Sequence, residues 1–311
     1  MNLSLMLTEQ ILIMAVLMLF GYLSVRFHVL KGEDSRVISS MVLYVISPAM
    51  VFDSFLISFS TEKLLGFLLA LGASTHMHIL FLIFTRLLGR FYPMNSVEKA
   101  SIVYSNCGNL LVPMIGAILG REYVLYCCVF MSVQGIVLWT HGAYILGGRD
   151  AVSLKKFFLN PNIIAMFLGL LFFFTGLRLP AIPGSAIEKT GACIAPVSMF
   201  IIGMLIASAD LKAIFTKGRS WIICAVRLIV IPLLTILMLF LLHIPSLIKE
   251  GPSILYVSFL ASAAPVAVNV TQLANLYGED SVLASSINIM SVFLCIITMP
   301  LMTMVYQLLF L

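Results

Sequence analysis

The sequence predicts an all-α membrane protein of ten transmembrane helices arranged as two inverted five-helix repeats. Three observations carry that prediction: an apolar composition, an uneven split of positive charge between alternate loops, and residues that recur at a fixed offset between the halves. Apolar residues make up 61% of the 311-residue chain and charged residues only 10%, whereas a soluble domain carries roughly 25% charged residues. Mean hydropathy is +1.12. About 20 apolar residues cross a bilayer as a helix, so ten crossings take about 200 residues. The remainder makes short loops, with no room for a soluble catalytic domain or a nucleic-acid-binding module. The lipid bilayer is the expected partner, and nucleic acid is not.

Hydropathy places the first five spans at approximately 10–27, 37–57, 64–88, 97–119 and 123–146. The second five fall at 161–177, 185–208, 220–243, 253–277 and 281–309. Residues 1–146 form the first repeat, 147–160 a short linker, and 161–311 the second repeat. Glu9 and the lack of Lys or Arg before it do not resemble the basic start of a signal peptide, so the first run reads as a retained span. Cys107, Cys127, Cys128, Cys193, Cys224 and Cys295 lie in apolar runs without metal-ligand spacing. They read as small hydrophobes; neither a metal nor a resident cofactor is expected.

Charge sets orientation. Arg26, Lys31, Arg36, Arg86, Arg90, Lys99, Arg149, Lys155, Lys156, Lys212, Lys217 and Arg219 follow odd-numbered spans, against Lys63, Arg121, Arg178, Lys189 and Lys249 on the other side. Cytoplasmic loops carry the excess of Lys and Arg, which places the linker in the cytoplasm and both termini outside, in the cell membrane. The net charge of +5 needs no acidic partner. Five spans per half then force opposite orientations. Met18, Gly21 and Leu23 recur as Met166, Gly169 and Leu171, and Ile46, Pro48 and Phe52 as Ile194, Pro196 and Phe200, all 148 residues on. Gly120, Val124 and Leu125 recur as Gly278, Val282 and Leu283, 158 residues on. Inverted repeats mark secondary transporters.

Proline inside a span removes a backbone hydrogen bond, and in lipid the freed groups need partners. Pro48 and Pro196 occupy the second and seventh spans, while Pro232 and Pro300 read as simple kinks. The fourth span contains Asn106, Asn109 and Pro113, and the ninth contains Pro265, Asn269 and Gln272. Unwound backbone exposes half-helix N-termini suited to an anion, and carboxamides donate or accept without net charge. The same amides would also serve as interhelical glue.

These residues resemble the auxin efflux carrier family of bacterial and plant transporters, which includes the plant PIN carriers. The resemblance covers essentially the whole chain. It rests on the ten spans, the Asn-x-Gly-Asn-x-x-x-Pro run at 106–113, Ala264-Pro265 with Asn269 and Tyr277-Gly278-Glu279-Asp280, and Arg227-Leu228 with Pro232. The bile-acid/sodium symporter group shares the architecture. The resemblance implies broken fourth and ninth helices crossing at mid-membrane, with a small organic anion held at the crossing. Asn106, Asn109 and Pro113 would line one side, and Pro265 and Asn269 the other. Bacterial members are associated with carboxylates such as malate and malonate. The plant carriers' long central loop is absent from the short 147–160 linker.

Ionisable residues inside spans are functional candidates by default. Arg227 lies eight residues beyond Arg219, about 12 Å deep, and either meets a substrate carboxylate with its planar fork or caps carbonyls. His76 and His78 either relay protons or sit as core histidines with one hydrogen bond. The expected function is a secondary transporter of a small organic anion, working by alternating access. An ion-coupled symporter-like carrier is the alternative, with H+ or Na+ as candidate coupling ions and a homodimer as a candidate assembly. A membrane enzyme lacks its residues: Thr75-His76-Met77-His78 is not a zinc-protease motif, and no span holds an Asp pair. A proton/sodium exchanger would place carboxylates in the fourth and ninth spans, which have none in their cores. A channel or passive scaffold remains as a minor reading.

Overall fold

The structure, a computed structural model, describes residues 3–152, 155, 158–216 and 218–311, without the side chains of residues 3, 4, 109 and 245. All regular elements among them are helical. In chain order we label α1 (Leu3–Arg26), α2 (Gly32–Ser54), α3 (Thr61–Phe91), α4 (Ser96–Val103), α5 (Val112–Ile118), α6 (Arg121–Gly147) and α7 (Pro161–Thr175). The second half continues with α8 (Ala181–Ser208), α9 (Leu211–Thr216), α10 (Gly218–Leu241), α11 (Gly251–Ala263), α12 (Val268–Tyr277) and α13 (Ser281–Phe310). Seven of these, α1, α2, α3, α6, α8, α10 and α13, are long and apolar enough to cross a membrane. The sixth predicted span corresponds to the shorter α7. The fourth corresponds to α4 and α5, and the ninth to α11 and α12.

Proline accounts for three of the four wide turns among the described residues; the fourth, Leu138–Gly142 in α6, has no proline close after it. A proline ring crowds the carbonyl four residues upstream, and a π-turn gives that carbonyl room. Such turns occupy Val42–Ile46 before Pro48, Cys107–Leu111 before Pro113 and Val226–Val230 before Pro232. Pro232, read from the sequence as a simple kink, stands two residues beyond the end of such a turn, in the first turn of the helical segment that follows. Pro113 sits in the first turn of α5, where a missing N–H is tolerated. The interruption of the fourth predicted span therefore lies at Tyr104–Asn106, well upstream of its proline. In the ninth, the residue before a proline is pushed out of the helical region: Ala264 adopts φ −65°, ψ 154° and α11 stops.

Packing runs crosswise between the halves. α1 lies along α8, and α7 lies on α2. α3 packs on α6 and α11, while α10 packs on α13 and α4. α6 also touches α5 and α11; α13 touches α12 and α4. The α1–α8 seam depends on two glycines. A Cβ on Gly21 would come within 2.8 Å of the Phe200 carbonyl carbon, and one on Gly203 within 2.8 Å of both the Met18 carbonyl carbon and the Tyr22 nitrogen. Small residues let membrane helices approach this closely. Large apolar side chains such as Leu12, Phe20, Ile83 and Leu237 face outward, as lipid contact requires.

Candidate functional site

Where α4 ends, the chain runs extended for a few residues and meets the corresponding stretch between α11 and α12. Ser105 and Val266 form an antiparallel bridge. The Asn106 N–H donates to the Pro265 carbonyl at 2.8 Å, and the Ala267 N–H to the Tyr104 carbonyl at 3.1 Å. Gln134 of α6 closes the Ser105 side. Its Oε1 accepts from the Ser105 N–H (2.9 Å) and Oγ (2.8 Å), and its Nε2 donates to the Ser105 carbonyl (2.8 Å). From α13, Ser291 Oγ accepts the Val266 N–H at 3.0 Å, and Asn288 Nδ2 donates to the Val266 carbonyl at 2.6 Å. Polar groups in a bilayer interior must be satisfied internally, and this ribbon meets that condition on both edges.

Arg227, wholly buried, serves the same junction. Its Nε and Nη2 donate to the Ala264 carbonyl at 3.2 and 3.1 Å, and its Nη1 to the Ile102 carbonyl at 3.2 Å. These carbonyls close α11 and α4, so one guanidinium faces the negative ends of two helices.

A cavity of about 160 Å³ borders the ribbon. Ser105, Asn106, Gly108, Gln134, Ala267, Asn269 and Gln272 form one wall, and Ser47, Asn162 and Ser198 stand on helices α2, α7 and α8. No charged side chain lines it among the described residues. Two buried donors there lack acceptors among the described residues: Asn106 Nδ2 and Ser198 Oγ. Both side chains are about 95% or more buried.

Of the sequence-predicted residues, Asn106, Asn269 and Gln272 meet at this cavity. The Asn109 side chain lies outside the described residues. Pro113 and Pro265 shape the backbone without lining the cavity. Arg227 lies off the cavity wall, as do both histidines. His76 is exposed, its Nδ1 on the Gly72 carbonyl at 2.7 Å. His78 is buried against Phe130, its Nδ1 on the Ser74 carbonyl at 2.7 Å. Sequence reasoning missed Ser105, Gln134, Ser198, Asn288 and Ser291: Ser105, Ser198 and Ser291 are serines, which are common in apolar helices, and the carboxamides Gln134 and Asn288 lie in α6 and α13 away from the two proline breaks. It also missed an ion-pair cluster at the far end of the same helices. Arg121, at the start of α6, meets Asp53 of α2 at 2.6 Å and Glu188 of α8 at 3.2 Å.

The membrane transport protein family matches the chain over residues 6–155 and 149–303. The chain belongs to that family. It is the auxin efflux carrier-like family to which the sequence motifs pointed. An uncharacterized transporter of Methanocaldococcus jannaschii is 28% identical over 302 residues, covering 92% of this chain and 94% of its own. An uncharacterized transporter of Methanothermobacter thermautotrophicus is 23% identical over 304 residues, covering 96% and 98%. The protein is a multi-pass membrane transporter rather than an enzyme.

Proposed function

We propose that this transporter carries a small organic anion, a carboxylate, by alternating access around the α4–α5/α11–α12 crossover. The observation that carries the reading is Asn106 Nδ2: a buried donor on a cavity wall with no acceptor among the described residues. A buried polar group without a partner is costly, and a carboxylate oxygen is the acceptor it lacks. Ser198 Oγ offers a second donor from α8. The N-terminus of α12, whose residues Val268, Asn269 and Gln272 line the cavity, adds partial positive charge without a cation.

Ten crossings in two inverted halves is the architecture we infer. The crosswise packing supports it: the first helix of each half lies on the second of the other, and the fourth crossing of each half meets the third of the other. On that architecture α1, α2, α7 and α8 form one set, and the helices carrying the crossover form the other. Rocking or sliding between the sets moves the ligand. The positive-inside rule puts Ser39 and Asn160, which line one end of the cavity, on the cytoplasmic side of the cell membrane, and both termini outside. The Arg121–Asp53–Glu188 cluster then closes the outer side, and the conformation is open inward.

Uptake of labelled mono- and dicarboxylates into proteoliposomes, with and without imposed H+ and Na+ gradients, tests this reading and identifies the coupling ion. Carboxylate uptake whose apparent affinity falls in Asn106→Ala is expected. Transport of neutral solutes with no carboxylate carried under any gradient would overturn it.

A further inference from the structure

The ribbon at the crossover consists of three residues on each strand. Its flanking hydrogen bonds leave the central pair, Ser105 and Val266, with their own N–H and C=O groups pointing away from each other. Each strand is thus an open edge inside a membrane protein, where open edges require cover. α6 covers one edge with a single side chain, and α13 covers the other with two. The two covers differ in one respect. Gln134 lines the cavity, and neither Asn288 nor Ser291 does.

We propose that Gln134 is the positioning residue of the substrate site: its carboxamide takes the place of a third strand beside Ser105 and holds the Asn106 amide toward the ligand. This rests on the cavity being the substrate site. Ser105 and Asn106 are consecutive, and the Asn106 N–H is tied to Pro265 on the opposite edge. With Ser105 held through both backbone groups and its hydroxyl, Asn106 has backbone anchors on either side. Its side chain is the part left unpaired. Only an uncharged carboxamide suits the post. It supplies an acceptor and a donor to one residue, and Nε2 additionally reaches Cys107 Sγ at 3.5 Å. Glutamate would accept but not donate, and would set a negative charge on a wall that faces an anion. Methionine has similar length and neither polar group.

Hydrogen exchange in nanodiscs without ligand reads the clamp directly. Gln134→Met should accelerate exchange of the peptide containing Ser105 by about tenfold, consistent with loss of a net hydrogen bond, while the peptide containing Val266 exchanges as in wild type. Ser291→Ala should do the reverse. Labelled malate is the transport probe. Gln134→Met should raise its KM about tenfold, the equivalent of one hydrogen bond, and Ser291→Ala should leave KM near wild type. Gln134→Glu keeps the acceptor for the Ser105 N–H; it should retain protection there and still raise KM. Unchanged Ser105 exchange in Gln134→Met, or equal KM changes in the α6 and α13 variants, would overturn the assignment. If wild type carries neither malate nor any other mono- or dicarboxylate under any gradient, the substrate reading falls. The exchange pattern then decides by itself whether Gln134 holds the crossover.

Discussion

The α1–α8 seam and the crossover both bring backbone against backbone from opposite halves of the chain, and they do so by opposite means. At the seam, Gly21 and Gly203 lie against the backbone of the facing helix, and proximity is achieved by removing side chains. At the crossover, proximity is achieved by adding them: Gln134, Asn288, Ser291 and Arg227 each satisfy backbone groups exposed where α4 and α11 end. Apolar close packing has no partner to exchange. Hydrogen bonds do, and the crossover is where unpartnered donors meet a cavity. The seam suits a fixed frame and the crossover a binding site. Substitutions should therefore separate into losses of assembly and losses of ligand.

The largest effect belongs to the seam. A side chain at Gly203 meets the Met18 carbonyl and the Tyr22 nitrogen, backbone atoms that cannot rotate away. Overpacking typically costs about 1–3 kcal/mol, so Gly203→Ala should lower the melting temperature measurably and Gly203→Leu should yield no monodisperse protein on size exclusion. Wild-type melting in both would mean that the helices are not seamed there.

Arg227 comes next. Its replacement by Met bares the Ala264 and Ile102 carbonyls that it now caps, and each unsatisfied buried group costs about 1–3 kcal/mol. Arg227→Lys keeps the charge but not the fork that spans both carbonyls. Both variants should melt early, Lys less so, with unchanged malate affinity in whatever remains folded. Lost affinity at a normal melting temperature would move Arg227 back to the ligand.

That residue illustrates what was legible in the sequence. Its depth follows from the distance to Arg219, so its being buried was readable; which groups it faces depends on where two other helices end, and no local pattern encodes that. Helix content and apolar runs follow from composition, and Pro265 marked its interruption because it acts on the residue just before it. Pro113 misled on position: it is absorbed by a π-turn and the first turn of α5, and the chain actually leaves the helix at Tyr104. Asn106, Asn269 and Gln272 were found because amides in apolar helices stand out beside a proline. Gln134 carries the same carboxamide far from any proline, Ser198 is one serine among several in apolar helices, and only the tertiary arrangement brings them to the cavity.

Asn106 sharpens the contrast in the other direction. Its Nδ2 has no acceptor among the described residues, so Asn106→Ala removes little from the protein itself and its melting temperature should stay close to wild type. A hydrogen bond to a charged group is worth about 1.5–3 kcal/mol, so the affinity for a transported carboxylate should fall roughly tenfold to a hundredfold. Calorimetry and a melting curve on the same preparation check both halves. A variant that melts early yet binds normally would make Asn106 interhelical glue.

The smallest effect is expected at the outer ion cluster, which belongs to neither category. Arg121 reaches Asp53 and Glu188 on α2 and α8, the frame side, from α6, the helix that also carries Gln134. The Arg121 and Glu188 side chains are half exposed, at 47% and 55%, and Asp53 is 16% exposed; with the guanidinium itself half in solvent, such pairs contribute about 0–1 kcal/mol. A bond that weak adds little to folding, yet it is enough to bias two conformations severalfold while remaining easy to break in each transport cycle. Arg121→Ala should thus melt like wild type and shift the population away from the inward-open form proposed above. Trp139 lines the cavity, and Trp221 is the only other tryptophan, so Trp221→Phe leaves a single reporter of that opening. In this background Arg121→Ala should reduce acrylamide quenching of Trp139, by up to about twofold for a bias of this size. Salt offers an independent route to the same end, because screening falls to about 3 Å at 1 M ionic strength. Wild-type protein in 1 M sodium chloride should approach the quenching of Arg121→Ala, and the variant itself should respond little. Quenching that is the same in all four conditions would show that the cluster does not hold the outer side closed.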